Sequence, residues 1–163
     1  MKLIRFTLIS IVVLFAIASL IGALLPPTVL VSRAENMHVS KDTIIPYLQN
    51  IQQWKTWMDG MDNVPVQVYN AHKANFGGTV VEITGITDST IISIWTLQSG
   101  GTQTSTMRLI GDSLQKVTVV QWQFEQKIKW YPWEKFGSMM NDKILGTMME
   151  KNLGNLRKLI ERN

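Results

Sequence analysis

Apolar residues near the C-terminus recur at steps of three and four, which is the spacing of a single stripe on a helix. The pattern predicts one long helix over residues 133–160. At 1.5 Å per residue, such a helix is about 40 Å long. Its apolar positions are Phe136, Met139, Met140, Ile144, Met148, Met149, Leu153, Leu156 and Ile160. A stripe of that length needs a broad apolar partner, so we expect a sheet that covers it.

The middle of the chain predicts that sheet. A β-rich run at residues 28–39 predicts a first strand, and helical spacing predicts two short helices at about 41–49 and 50–58. Strand-like runs separated by turn signals then predict an antiparallel meander of about five strands. These runs cover residues 66–70, 78–84, 90–97, 102–110 and 115–127. The order predicts an α+β fold, in which a strongly curved antiparallel sheet wraps around the long C-terminal helix.

The N-terminal segment has no charged residue over positions 6–25, and twenty helical residues span the hydrocarbon core of a bilayer. We therefore predict a membrane anchor at residues 1–27 and one domain at 28–163. Lys2 and Arg5 precede the span, which places the N-terminus in the cytoplasm and the domain on the periplasmic or extracytoplasmic side of a single-pass protein. The alternative is a cleaved signal peptide, whose apolar region would be shorter.

Composition removes several classes of function. The net charge is +4, but only 14 basic and 12 acidic residues follow the anchor and the basic ones are scattered, so no nucleic-acid partner is predicted. The absence of cysteine excludes disulfides, a thiol nucleophile and zinc–thiolate sites. Neither His38 nor His72 has a second ligand at metal spacing. We accordingly predict no metal site, no cofactor and no catalytic residue, and we assign no oligomeric state.

Several short motifs, together with the order of elements, resemble the helix-grip fold of the START-like superfamily, also called SRPBCC or polyketide cyclase-like, in its membrane-anchored bacterial members. The motifs are the opening strand at residues 29–33, Trp54-Lys55-Thr56-Trp57, the strand at 78–83 and the helix end at 153–158. The chain departs from the family where Met58-Asp59-Gly60 follows the double Trp and where only Phe76-Gly77-Gly78 remains of a glycine-rich pattern. The resemblance implies a cavity between sheet and long helix, which most relatives use for an apolar or amphipathic small molecule.

The residues expected to line such a cavity are aromatic and apolar side chains of the last strands and the long helix. Flexible methionines suit irregular apolar ligands. The competing interpretation is that the same side chains form an ordinary core. The predicted lining residues are Trp95, Met107, Val120, Trp122, Phe124, Phe136, Met140 and Ile144.

Three functions are compatible with the sequence. The first is a membrane-tethered, non-catalytic domain that binds a hydrophobic small molecule or lipid. The second is an enzyme of the cyclase or hydrolase type, using Tyr131 or Glu134 with Arg108, although strand alternation places Arg108 opposite Met107 and therefore in solvent. The third is a partner-binding module with a filled interior and an exposed apolar patch. Trp130 and Trp133 are expected at the cavity rim or at the membrane interface.

Overall fold

The computed structural model describes residues 2–24, 26–61, 65–111, 116–129 and 132–162. The side chains of residues 2, 132, 135, 136 and 138–141 lie outside that description. The elements are α1 (Lys2–Leu24), β1 (Thr28–Met37), α2 (Lys41–Gln49), α3 (Ile51–Trp54), β2 (Val66–Asn70), β3 (Lys73–Phe76), β4 (Thr79–Ile86), β5 (Thr90–Thr96), β6 (Thr102–Ile110), β7 (Thr118–Lys127) and α4 (Pro132–Glu161).

The seven strands form one curved antiparallel sheet in the order β1-β7-β6-β5-β4-β3-β2. The first strand pairs with the last, and the others follow one another as a meander. The predicted α+β class, the two short helices after the first strand and the long C-terminal helix are confirmed.

Strand β3 is the main difference from the predicted elements. It is only four residues long, and the prediction had no strand there. Gly77 and Gly78 form the turn from β3 to β4, with φ angles of +57° and +96°. Two successive residues with positive φ are typical of a tight hairpin turn, which glycine adopts at little cost. The prediction had begun a strand at Gly78, because it took part of the turn for the strand.

Two further boundaries were wrong. Helix α3 ends at Trp54, and the next three residues form a turn, so the second short helix is shorter than predicted. Strand β7 begins at Thr118 rather than at residue 115, and residues 112–115 lie outside the described residues.

Strand alternation places the core on one face of the sheet. Along β7, Thr118, Val120, Trp122 and Phe124 are buried, as their alternation predicted, and the residues between them are more exposed. Helices α2 and α3 cover part of this face with side chains that are fully buried. These side chains are Ile44, Leu48, Ile51 and Trp54.

The buried stripe of α4 differs from the prediction in its first half. Met149, Leu153, Leu156 and Ile160 are buried as expected. Ile144 is 68% exposed, because five residues turn a helix by about 140°, and it therefore cannot share the face of Met149.

Helix α4 packs along β1 and is held there by charged side chains. The Nε atom of Arg33 lies 2.6 Å from Oε1 of Glu150, and Arg157 is bound to Glu35. Gly146 makes room for this arrangement, because a Cβ at that position would overlap the Arg33 guanidinium.

The end of the sheet that lies nearest α1 is called here the α1-proximal end. Thr28 pairs with Lys127 there, and the carbonyl of Pro27 accepts a 2.8 Å hydrogen bond from the backbone N–H of Ile128. The β5–β6 turn lies at the same end, since Thr96 pairs with Thr102. Helix α4 begins at this end and finishes at the opposite one, where Glu161 contacts His38.

Helix α1 is apolar and almost wholly exposed to its surroundings. Its residues Leu3–Leu24 are long and apolar enough to cross a membrane, and only 6% of the span is buried within the protein. Length and composition alone would also suit a signal sequence.

Candidate functional site

Aromatic rings fill the middle of the space between the sheet and the two short helices. Trp54 stacks on Trp95 with ring centroids 6.1 Å apart, and Trp95 meets the edge of Phe124 at 5.3 Å. Trp57 and Trp122 form a second edge-on pair at 5.9 Å. Such tilted and offset contacts are favourable because the ring face is negative and the ring edge positive.

The indole N–H groups of this cluster all have acceptors within the protein. Trp122 donates to the Oγ of Ser105 at 2.9 Å, and Trp95 donates to the Oγ of Ser93 at 3.0 Å. The two serines are cross-strand partners on β5 and β6, and both are buried. The two remaining indoles, on α3 and the following turn, donate to backbone carbonyls of α2. None of these four donors is therefore left over to orient a ligand.

Sequence reasoning did not find the role of these serines. It treated them as isolated hydroxyls without a catalytic context. The available signal was the spacing of Ser93 and Trp95 on one face of one strand, but the Ser105–Trp122 contact requires knowledge of the strand register.

Five of the eight predicted lining residues face this interior. Met107, Val120, Trp122 and Phe124 are at most 2% exposed, whereas Trp95 is half-buried. The side chain of Ile144 is exposed and does not join them. Phe136 and Met140 belong to α4, but their side chains lie outside the described residues.

A cleft of about 430 Å³ lies at the α1-proximal end, between the β5–β6 turn, the end of β7 and the start of α4. Leu97 and Ile128 supply apolar surface, and Lys127 and Lys129 supply two exposed ammonium groups. The Glu134 carboxylate accepts a 3.1 Å hydrogen bond from the backbone N–H of Lys129, which fixes α4 to the end of β7. The complete lining is Leu97, Ser99, Gly101, Gln126, Lys127, Ile128, Lys129, Glu134 and Gly137.

The cleft continues the inward face of the sheet beyond the aromatic cluster. Leu97 is the next inward position after Trp95 on β5, and Gln126 is the next after Phe124 on β7. The Nε2 of Gln103 donates a 2.9 Å hydrogen bond to Gln126 beside them. Packed rings thus occupy the middle of the interior, and open volume of the size that holds small molecules lies at its α1-proximal end.

The polar residues considered for an enzyme are not brought together. Arg108 is exposed on the outer face of the sheet, in register with Thr90, far from the cleft that Glu134 lines. The pairing of Arg108 with an inward carboxylate is therefore wrong, because alternation turns its side chain outward. Tyr131 lies outside the described residues. Across the described ranges, no three His, Cys, Asp or Glu side chains lie close enough to hold a metal ion.

One pKa shift marks the opposite end of the domain. Hydrogen bonds from the His38 backbone N–H and from the His38 ring lower the pKa of Glu161. His38 itself is largely exposed. This contact closes the end of α4 onto the end of β1 and lies far from the cleft.

No protein-family model and no curated protein matches the chain. Solved structures do match it. A START superfamily protein from Mycobacterium smegmatis has 12% identity and a TM-score of 0.59, over 82% of this chain and 97% of that one. An Hsp90 activator from Plasmodium falciparum has 14% identity and a TM-score of 0.58, over 81% and 96%.

A third match is the di-domain ARO/CYC of the BE-7585A biosynthetic pathway, with 8% identity and a TM-score of 0.59. The match covers 81% of this chain and 50% of that one, which has two domains. Identities this low describe shared architecture and carry no activity with them. The chain therefore has the START-like, or SRPBCC, helix-grip fold that its motifs resemble.

Proposed function

We propose that the protein is a membrane-tethered, non-catalytic domain that binds a hydrophobic small molecule or lipid between the sheet and the long helix. The observation that carries this proposal is the cleft beyond Trp95 and Phe124. Its inner end is aromatic, and its mouth combines Leu97 and Ile128 with charged groups. An apolar body with a polar end matches that division of surfaces.

The remaining support comes from the fold and from α1. The solved neighbours include a START superfamily protein and an ARO/CYC, and the fold is one that suits a ligand-binding domain. In the proposal α1 crosses a membrane once, with Lys2 and Arg5 on the cytoplasmic side and the domain on the periplasmic or extracytoplasmic side. The site lies at the α1-proximal end of the interior, because the aromatic cluster occupies the middle.

The first test is to identify what the protein carries. The full chain is isolated from its host membrane and the domain is released by a protease site placed between α1 and Pro26, which preserves the Pro27 carbonyl. Native mass spectrometry and organic extraction then reveal any co-purified species. A defined apolar compound at near-stoichiometric occupancy supports the proposal. A clean apo mass, together with no uptake of the fluorescent fatty acid cis-parinaric acid, contradicts it.

A matched pair of variants places the ligand in the cleft. Leu97→Asp puts a carboxylate in the cleft mouth, while Ile94→Asp puts the same group on the outer face of the neighbouring strand β5. We expect Leu97→Asp to raise the Kd for cis-parinaric acid about tenfold, equivalent to about 1.4 kcal/mol, and Ile94→Asp to leave it unchanged. Equal effects of the two variants would show that uptake occurs elsewhere.

A second candidate function rests on the filled interior. Trp54, Trp57 and Trp122 leave little open volume among themselves, and the outer face of the sheet exposes three isoleucines. A partner-binding module would use that outer surface. Under this alternative the domain takes up no apolar probe, and Ile94→Asp, rather than Leu97→Asp, abolishes association with the partner. The exposed isoleucines are Ile86, Ile92 and Ile94.

A further inference from the structure

The connection between α1 and the sheet is too short to let the domain move away from a membrane that α1 enters. Helix α1 ends at Leu24, and Pro27 is already hydrogen-bonded to Ile128. Three residues span at most about 11 Å when fully extended. The headgroup layer on one side of a bilayer is itself about 5–8 Å thick. The start of β1 must therefore lie in or beside that layer.

The surface at the α1-proximal end suits such a position. Lys127 and Lys129 are exposed there, and Trp133, in the first turn of α4, is 60% exposed. Trp is enriched at membrane interfaces, and lysines near an anionic leaflet are attracted to its headgroups. The acidic side chain nearest to them in the cleft, Glu134, is half-buried, and its carboxylate is engaged by the Lys129 backbone N–H.

A second observation fixes the direction of the domain. Gly22, near the end of α1, is buried, and α1 contacts α4. The end of α1 is thus packed on the domain as well as being joined to it. The mouth of the cleft, between Leu97 and Ile128, then opens at the end of the domain that faces the bilayer.

We propose that the α1-proximal end is a docking surface for the headgroup layer of the membrane that α1 enters. Lys127 and Lys129 bind anionic headgroups, and Trp133 lies in the interface. The cleft thereby opens onto the bilayer, so its ligand is a membrane lipid that enters without crossing water. This inference rests on the proposed function for the role of α1 and for the cleft as the site.

The test measures how close each end of the domain lies to the lipid. The chain contains no cysteine, so one introduced cysteine gives a single labelling position. Ser99→Cys places a bimane label on the exposed β5–β6 turn at the α1-proximal end, and Ser89→Cys places it on the exposed β4–β5 turn at the opposite end. The full chain is reconstituted into vesicles of phosphatidylcholine, with or without phosphatidylglycerol, containing a headgroup-attached nitroxide quencher.

We expect stronger quenching at position 99 than at 89, and a further increase at 99 with phosphatidylglycerol. Lys127→Gln with Lys129→Gln should shift the docking equilibrium about 25-fold, or about fivefold per lysine, and remove the response to phosphatidylglycerol. Lys41→Gln with Lys116→Gln removes the same charge from the opposite end and should change nothing. Equal quenching at the two positions, or quenching at 99 that ignores the lysines and the lipid charge, would overturn the proposal.

The failures of the two proposals can be told apart. Loss of the chain from vesicles after an alkaline wash shows that α1 does not span the bilayer, which removes the tether and with it the docking. Retention with headgroup-dependent quenching, but without any extracted ligand, leaves the docking surface supported and removes only the binding function.

Discussion

The buried serines of β5 and β6 hold the rings of the interior in place. Ser105 is fully buried and accepts the N–H of Trp122, which is also fully buried. A buried donor without an acceptor loses its hydration without compensation. Because Ser93 lies opposite Ser105, two hydroxyls at one register position orient rings on two different strands.

Ser105→Ala should lower the free energy of unfolding by about 1–3 kcal/mol, because it leaves the Trp122 N–H buried without an acceptor. Urea denaturation followed by circular dichroism measures the change. Ser93→Ala is the matched control and should cost less, since Trp95 is half-buried and its N–H is closer to solvent. In a Trp122→Phe background the Ser105→Ala penalty should largely vanish. An undiminished penalty in that background would show that the hydroxyl acts otherwise.

Glu161 gives the domain an acid-sensitive contact. Its pKa is lowered by the His38 hydrogen bonds, so the ionised carboxylate is favoured in the folded state. A group with a depressed folded pKa contributes stability above its unfolded pKa and loses it as pH falls through the folded value. Glu161→Gln should therefore lower Tm at pH 6, and the two proteins should converge as the pH falls below the ordinary glutamate pKa of 4.5. A difference that persisted in acid would exclude the carboxylate charge as its cause.

Among the elements, α4 and β1 form a charged contact rather than a purely apolar one. Arg33 and Glu35 lie on the side of β1 that faces α4, and each binds an oppositely charged residue of the helix. Partly exposed pairs of this kind contribute modestly to stability, yet they fix how the helix lies along the strand. Gly146 is part of the same arrangement, because Arg33 crosses the helix at that residue.

Two glycines of α4 allow this arrangement to be tested. Replacing a helical glycine by alanine stabilises by about 0.5–1 kcal/mol when nothing obstructs the new methyl group. Gly154 has no atom within 4 Å of its added Cβ, so Gly154→Ala should give the full gain. Gly146→Ala should gain less, or destabilise, because it displaces Arg33 from Glu150.

The background tells whether Arg33 is the cause. In an Arg33→Ala protein, Gly146→Ala and Gly154→Ala should have the same effect on the urea midpoint. A Gly146→Ala effect that does not depend on residue 33 would locate the obstruction in another side chain.

Periodicity predicted those elements whose burial is one-sided. The buried face of β7 and the second half of α4 followed the spacing of their apolar residues. Strand β3 could not be found this way, because four residues show no period and its turn is made of glycines. Ile144 was misplaced because the apolar residues of α4 cover more than one face, and only contact with β1 determines which face is buried.

For the site, the sequence indicated which side chains face inward but not where space remains. Trp95 and Phe124 were expected to line a cavity, and they instead close its inner end by packing on each other. That outcome depends on ring orientations and on hydrogen bonds such as that from Trp122 to Ser105, which cross between strands far apart in sequence. The departure from the family after Trp57 indicated that the entrance would differ, without indicating where it lies.

On the scale of the whole molecule, the sheet and α4 form a unit that hardly depends on α1 for its packing. Only 6% of the apolar span is buried, whereas the aromatic cluster and the α4 stripe are enclosed by the domain itself. Stability proportional to buried apolar area therefore resides in the domain. Its connection to α1 adds one local contact, the hydrogen bond from Ile128 to Pro27.

A domain that begins at Pro26 should consequently unfold cooperatively, with a free energy within about 0.5 kcal/mol of the value for a surface-neutral change. A domain that begins at Thr28 lacks the Pro27 carbonyl and should be less stable by about 0.5–1.5 kcal/mol, because the Ile128 N–H loses its partner at the end of β7. Urea denaturation of the two proteins, side by side, measures the difference. Non-cooperative unfolding of the longer one would mean that α1 belongs to the folded core, and Gly22, which is buried where α1 meets α4, would then mark the contact that was removed.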